Sequence, residues 1–173
     1  MKFNASKCNV MRISRKQNPG SINYTMMGEQ LEEVSNHKYL GVHIENNLKW
    51  NKQTKHASDK ATKVLNFMIR RNFHNCSKSV KGKLYQTLVR PHLEYASIAW
   101  NPVTKENKKH IEMVQRRAAR FVLGDYDRKL SVTNMLQNLN WSTLEQRREK
   151  QCINAFHKMI YGELELDIDK YAT

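Results

Sequence analysis

Long apolar runs are missing from this chain. The longest stretches, such as Val64 to Ile69 and Phe121 to Leu123, fall far short of the roughly 18 residues that a membrane-spanning helix requires. Met1 to Val10 also lacks the apolar centre of a secretory signal. These absences argue for a chain with no membrane partner, kept inside the cell in cytoplasm or nucleus and not secreted. Cysteine is scarce as well: Cys8, Cys76 and Cys152 lie far apart and none belongs to a C-x-x-C pair. Neither a disulfide framework nor a zinc ribbon is expected.

The motifs of catalysis are equally sparse. No phosphate-binding G-x-x-x-x-G-K-[ST] loop, no G-x-S-x-G elbow and no close aspartate pair for two-metal chemistry occurs in the 173 residues. Asp125 and Asp127 come nearest to such a pair, but they follow Gly124, where a solvated turn is the plainer reading. His92 and Glu94 are two residues apart, a spacing that points them to different sides of a helix. His74 and Cys76 have no second ligand pair beside them. No metal site is expected.

Acidic residues are few: 16 against 30 lysines and arginines, for a net charge of +14. The excess is not spread evenly. Residues 1–50 hold 7 basic against 4 acidic side chains, residues 51–124 hold 16 against 4, and residues 125–173 hold 7 against 8. So basic a central segment attracts polyanions, because neutralised phosphates release condensed counterions. A lysine-rich solvated face is the bland alternative.

The hydrophobic period changes near Trp50. Before it the pattern is strand-like: CNVMRIS (8–14), INYTM (22–26) and YLGVHI (39–44), the last with Leu40, Val42 and Ile44 on one face. GEQLEEV (28–34) either completes a hairpin with INYTM or forms one helical turn, and the hairpin is preferred. Turns are expected at Asn18-Pro19-Gly20, Gly28 and Asn46-Asn47. After Trp50 the pattern is helical. Ala57, Ala61, Val64, Leu65 and Met68 form one stripe, and Lys52, Lys55, Lys60, Lys63, Arg70 and Arg71 fall among the other positions.

A second helix from Ser77 carries Val80, Leu84 and Leu88 and is expected to stop near Arg90, before Pro91. Leu93, Ala96 and Trp100 are expected in the core beyond it. A third helix runs from about Thr104 to Leu123, with Ile111, Val114, Ala118, Phe121 and Val122 inward and Gly124 as its stop. A short helix over 131–139 follows. Ser142 and Glu145 match a capping box opening the last helix, with Gly162 its stop. The fold class is therefore α+β: a small N-terminal antiparallel β-sheet of about three strands, then an all-α bundle of about four to five helices. The regions are 1–50, a basic helical 51–126 and a helical extension 127–173.

QRRAARF (115–121) sets Arg116 and Arg120 on one helix face with Arg117 beside them. Such a helix lays arginines along a phosphate backbone, or its arginines flank a buried seam and pair with Glu112 or solvent. Tyr39, Tyr85, Tyr95 and Trp100 offer stacking surfaces or core volume.

Six segments in order, FNASKC (3–8), KYLGVHIENNLKW (38–50), TLVRPHLEYASIAWNP (87–102), IEMVQRRAARFVLGDY (111–126), SVTNMLQNLNWSTLEQRR (131–148) and KMIYG (158–162), resemble the C-terminal part of the reverse transcriptase of non-LTR retrotransposons of the Jockey-like group. The likeness spans Phe3 to about Gly162. It implies the end of a palm, a thumb and a helical extension of an RNA-directed DNA polymerase. By resemblance, Lys7 of the N-x-x-K element is an accessory proton donor or positive charge at the leaving pyrophosphate, and Tyr39-Leu40-Gly41 is a primer-grip-like turn. The thumb would hold an RNA or DNA template–primer duplex by its backbone, with Lys60, Lys63, Arg70, Arg71, Arg116, Arg117 and Arg120 as the candidate nucleic-acid-binding side chains.

The family's Mg2+ is held by palm aspartates, including an F/Y-A-D-D element, that are absent from this sequence. Phosphoryl transfer by two magnesium ions needs those carboxylates, so no cofactor and no polymerase activity are expected of this chain alone. Met1 directly before the N-x-x-K element suggests a truncated gene copy or a partial gene model. The alternative reading is a helical protein–protein interaction module with no nucleic-acid role, its partners unknown.

Overall fold

The computed structural model of the chain describes residues 4, 7–14, 20, 23–127 and 129–163. Parts of the strand expected at 22–26, of the turn at 18–20 and of the N-x-x-K element, and all of the acidic tail beyond Glu163, lie outside the described residues. The fold is α+β, with small two-stranded ribbons, two of them antiparallel and one parallel, followed by a helical bundle. Two compact units divide the chain, Met1–Gln53 and Thr54–Thr173. The described residues of the extension expected over 127–173 belong to the same unit as the basic helices.

In the first unit the strands are short and pair two by two. β1 (Asn9–Val10) runs parallel to β4 (Glu32–Glu33), while β2 (Thr25–Met26) is antiparallel to β3 (Glu29–Gln30). β5 (Asn36–Tyr39) is antiparallel to β6 (Val42–Glu45), with Tyr39 opposite Val42. The preferred hairpin after Met26 is therefore present. The continuous strand expected over 39–44 is not: Leu40 (φ 46°) and Gly41 (φ 84°) form a two-residue turn with positive φ at both positions. That geometry matches the right-handed twist of a hairpin, and it explains why Leu40 is 74% exposed while Val42 is buried. Beyond β6, the Glu45 carboxylate accepts the Lys52 backbone N–H at 3.0 Å, and the Gln53 side chain accepts that of His43 at 2.9 Å. One free amide at the helix start, that of Lys52, is thus satisfied by the hairpin before it, and the helix in turn satisfies an amide of the hairpin.

The second unit is helical. α1 (Asn51–Lys63) passes without a break into a π-helical segment, Val64–Arg70. Ala57, Ala61, Leu65 and Ile69 are buried at a strict four-residue spacing. A regular α-helix would carry such a row steadily around its surface, and the wider π turn keeps it facing the core. For the same reason Met68, expected inside, is exposed and Ile69 takes its place.

α2 (Lys78–Leu84) starts at Ser77, whose hydroxyl accepts the Val80 N–H. It too widens into a π-helical segment, Tyr85–Val89, and continues as α3 (Arg90–Glu94). The expected stop before Pro91 is not seen. An α-turn would drive the proline ring against the carbonyl four residues back, and the wider turn that ends in the Arg90 N–H to Tyr85 carbonyl bond makes room for it. The break comes later, at Ala96, whose φ is 51°. Ala96 is exposed for that reason, contrary to expectation, whereas Leu93 and Trp100 are fully buried. Val80 and Leu88, expected inside, are exposed, and Tyr85 and Val89 are buried instead.

After α4 (Ser97–Trp100) comes α5 (Lys105–Leu123), the longest helix described, capped by Thr104 and closed by Gly124 at φ 71°. Its expected inward residues Ile111, Val114, Ala118, Phe121 and Val122 are all buried. α6 (Val132–Asn138) adds Met135 and Leu136 against Ala119. α7 (Leu144–Ile160) opens with a capping box one residue later than expected, Thr143 with Gln146. Glu145 is otherwise engaged: its side chain pairs with Lys108, and its N–H is accepted by the Glu112 carboxylate at 2.9 Å. Among the described residues no helix is long and apolar enough to cross a membrane.

Candidate nucleic-acid interface

Two buried polar joints fix α5, the helix that carries three of the candidate arginines. Tyr85 donates its hydroxyl to the Gln115 side-chain oxygen at 2.7 Å, and the Gln115 amide donates to the Ser142 carbonyl at 2.9 Å. Burial pushes the Tyr85 phenol far above its ordinary value; Arg90 opposes the rise and Glu94 adds to it. It is therefore a neutral donor. The Tyr85 ring stacks on Trp141 with centroids 4.4 Å apart. On the other side, Arg147 of α7 makes a two-pronged contact with Glu94, one arm at 3.1 Å, and Arg90 approaches the same carboxylate at 3.7 Å. Glu94 is thus a structural anchor, and it does not share a substrate atom with His92. Burial and then Lys60 lower the His92 pKa.

The sequence-identified arginines separate into two groups. Arg116 lines a cavity of about 410 Å³ with Glu112, Glu145, Trp141 and Thr143. Burial raises the Glu112 pKa, while the backbone N–H of Glu145 and the charges of Arg148 and Arg116 oppose the rise. Arg116 is thus half-buried on the Glu112 side of α5; its Nε is buried and has no hydrogen-bond partner among the described residues. Arg148 was not singled out. It is fully buried, burial lowers its pKa, and Glu112, Glu145 and Glu94 act against that shift.

Arg117 and Arg120 stand elsewhere. Together with Arg70, from the π-helical end of the first long helix, and Tyr126, just after α5, they line a cavity of about 280 Å³. The Arg70 guanidinium carbon lies 5.7 Å from the Tyr126 ring centroid, and its Nη1 contacts the Asn66 side-chain oxygen at 3.5 Å. The Nε of Arg120 is buried and has no hydrogen-bond partner among the described residues. No ion pair among the described residues involves Arg70, Arg117 or Arg120.

Asp125 and Asp127 are close in sequence, but each carboxylate accepts a backbone N–H two residues on, at 3.0 and 2.9 Å. These are the turns expected of them, and neither carboxylate forms an ion pair with the arginines among the described residues. Arg70, Arg117 and Arg120 are among the candidates named from the sequence, and Tyr126 is not. The turn after α5 at Gly124 is what brings that ring to the arginines.

The other candidates lie outside this cavity's lining. Lys60 and Lys63 are exposed on the last turn of α1, and Arg71 is placed 5.8 Å from the Phe67 ring. Lys7 and Tyr39-Leu40-Gly41 belong to the Met1–Gln53 unit, Lys7 donating its backbone N–H to the Asn4 carbonyl and Tyr39 closing the hairpin with its ring exposed. Of the proposed stacking aromatics, Tyr85 and Trp100 are core, and Tyr39 and Tyr95 are exposed. No group of three or more His, Cys, Asp or Glu residues suited to a metal ion occurs among the described residues. Comparison with family models, with curated proteins and with solved structures finds no match to this chain.

Proposed function

We propose that this chain binds the sugar–phosphate backbone of an RNA or DNA template–primer duplex without reading its sequence, in the manner of a reverse-transcriptase thumb, and does not itself polymerise DNA. The observation that carries this reading is the cluster of Arg70, Arg117 and Arg120, which has no ion pair among the described residues, within the segment that holds 16 basic against 4 acidic side chains. Backbone binding needs positive charge and shape and is indifferent to base order. The six ordered segments support the reverse-transcriptase lineage, and the palm carboxylates that hold magnesium in that family have no counterpart in the sequence.

The test is fluorescence anisotropy with labelled duplex at several salt concentrations. Binding is expected to weaken steeply with salt, and replacing Arg70, Arg117 and Arg120 by alanine is expected to lower the log–log slope by about 2 to 3, near 0.9 per lost phosphate contact. Arg116→Ala should leave the slope unchanged. Salt-independent binding, or none by a folded sample, defeats the proposal, and metal-dependent nucleotide incorporation defeats its second half.

A second reading, protein docking, is favoured by one observation: Ile153, Phe156 and Ile160 form an exposed apolar stripe on α7. Partners that survive nuclease treatment in a pull-down and are lost with Phe156→Asp would support it. Retention of the same partners by the variant would count against it.

A further inference from the structure

The arginine cavity differs from a flat basic face in three ways. It is concave, it has an exposed aromatic wall, and one of its polar atoms is already desolvated without a partner. About 280 Å³ lies just under the roughly 300–1,000 Å³ typical of sites for drug-sized ligands, so it suits one small charged group with part of what is attached to it. Arg117 and Arg120 are three residues apart on α5 and so share a face. Guanidinium groups bind phosphate oxygens in a two-pronged fashion. An unpaired buried Nε, as on Arg120, costs free energy until an acceptor arrives.

Tyr126 supplies the second element. Its ring is 55% exposed, although Arg70 lies over it. An exposed tyrosine beside a phosphate site is a surface on which a nucleobase stacks. The interior of a continuous duplex has no free base face to offer, because its bases are stacked on one another. A single strand, or a strand beyond the end of a duplex, does.

We infer that Arg70, Arg117, Arg120 and Tyr126 form a pocket for one unpaired nucleotide, in which the arginines hold its phosphate and Tyr126 stacks on its base. The pocket deepens, and rests on, the backbone-binding function proposed above. It makes the chain distinguish single strands from continuous duplex through one side chain, in addition to the charge attraction that both share.

The experiment compares a labelled oligothymidylate of about 12 nucleotides, within the roughly 4–16 that one basic groove covers, with a blunt duplex of equal length. Full-length chain and the variants Tyr126→Ala and Tyr126→Phe are titrated by anisotropy at low salt, with far-UV circular dichroism to check folding. Tyr126→Ala is expected to weaken single-strand binding by about 5- to 100-fold, as loss of one stacked base does, and to leave duplex binding within about twofold. Tyr126→Phe is expected to retain both. If Tyr126→Ala weakens both probes alike, or neither, the pocket assignment is overturned while backbone binding stands. If the unsubstituted chain binds neither probe, both proposals fail together.

Discussion

Gln115 joins three parts of the helical unit through two hydrogen bonds, and replacing it measures how rigidly α5 is held. Gln115→Met keeps nearly the same shape but removes both the acceptor of Tyr85 at 2.7 Å and the donor to Ser142 at 2.9 Å. Gln115 and Tyr85 are each 1% exposed, so water cannot replace the partner that the Tyr85 hydroxyl loses, whereas Ser142 is exposed and its carbonyl is open to water. The stranded hydroxyl costs about 1–3 kcal/mol and the part-buried Ser142 bond about 1 kcal/mol, so a loss of about 2–4 kcal/mol is expected. Tyr85→Phe strands only the Gln115 oxygen and should cost about 1–3 kcal/mol.

The double substitution removes both members of the shorter bond and leaves only the Ser142 carbonyl to water. It should therefore be less destabilising than the sum of the single changes, by about 1–3 kcal/mol. Urea unfolding of the four proteins, followed by circular dichroism, gives that coupling. Additivity within about 0.5 kcal/mol would refute the claim that the two side chains depend on one another.

Glu112 predicts a pH dependence of definite sign. Its ordinary value of 4.5 is raised, chiefly by burial, so the folded chain keeps this proton at pH values where the unfolded chain has lost it. The destabilisation is absent below the ordinary value, grows as pH rises toward the folded value, and is constant above it. Glu112→Gln keeps an acceptor for the Glu145 N–H and removes the titration. The stability of the unsubstituted chain relative to this variant should therefore fall as pH rises above the ordinary carboxylate value, and a difference that is flat or rising would contradict it. Two glycines should respond oppositely to alanine. At Gly82, inside α2, an added Cβ meets Trp141 at an ordinary 3.9 Å and should stabilise by about 0.5–1 kcal/mol. At Gly124, φ of 71° should make alanine cost about 1–2 kcal/mol, both read by urea denaturation.

Much of this fold was legible because the relevant signals are local. The change of period at Trp50 separates ribbons from helices, and α5, with its five expected inward residues and its glycine stop, follows from spacing alone. What was missed depends on interactions distant in sequence or on departures from 3.6 residues per turn. The π-helical segments at Val64–Arg70 and Tyr85–Val89 move Met68 and Leu88 out of the core and carry the helix past Pro91. Overlapping S/T-x-x-E/Q matches at Ser142 and Thr143 could be resolved only by knowing that Glu145 is engaged by Lys108 and Glu112.

The site divides in the same way. The arginines stood out by charge, but that Arg116 turns toward Glu112 while Arg117 and Arg120 meet Arg70 and Tyr126 is a matter of tertiary placement. No pattern in QRRAARF distinguishes them.

The ribbons of the Met1–Gln53 unit have a consequence for how the molecule opens. Val42 is the one buried apolar side chain among the described residues of that unit, and isolated two-stranded ribbons are marginal in water. Backbone amides of β1 to β6 should exchange with deuterium through frequent small openings, whereas those around Ile111 to Val122 should wait for the helical unit to unfold as a whole. Native-state proteolysis should follow the same hierarchy, cutting among the ribbons first and leaving a helical remnant that still carries the arginine cavity.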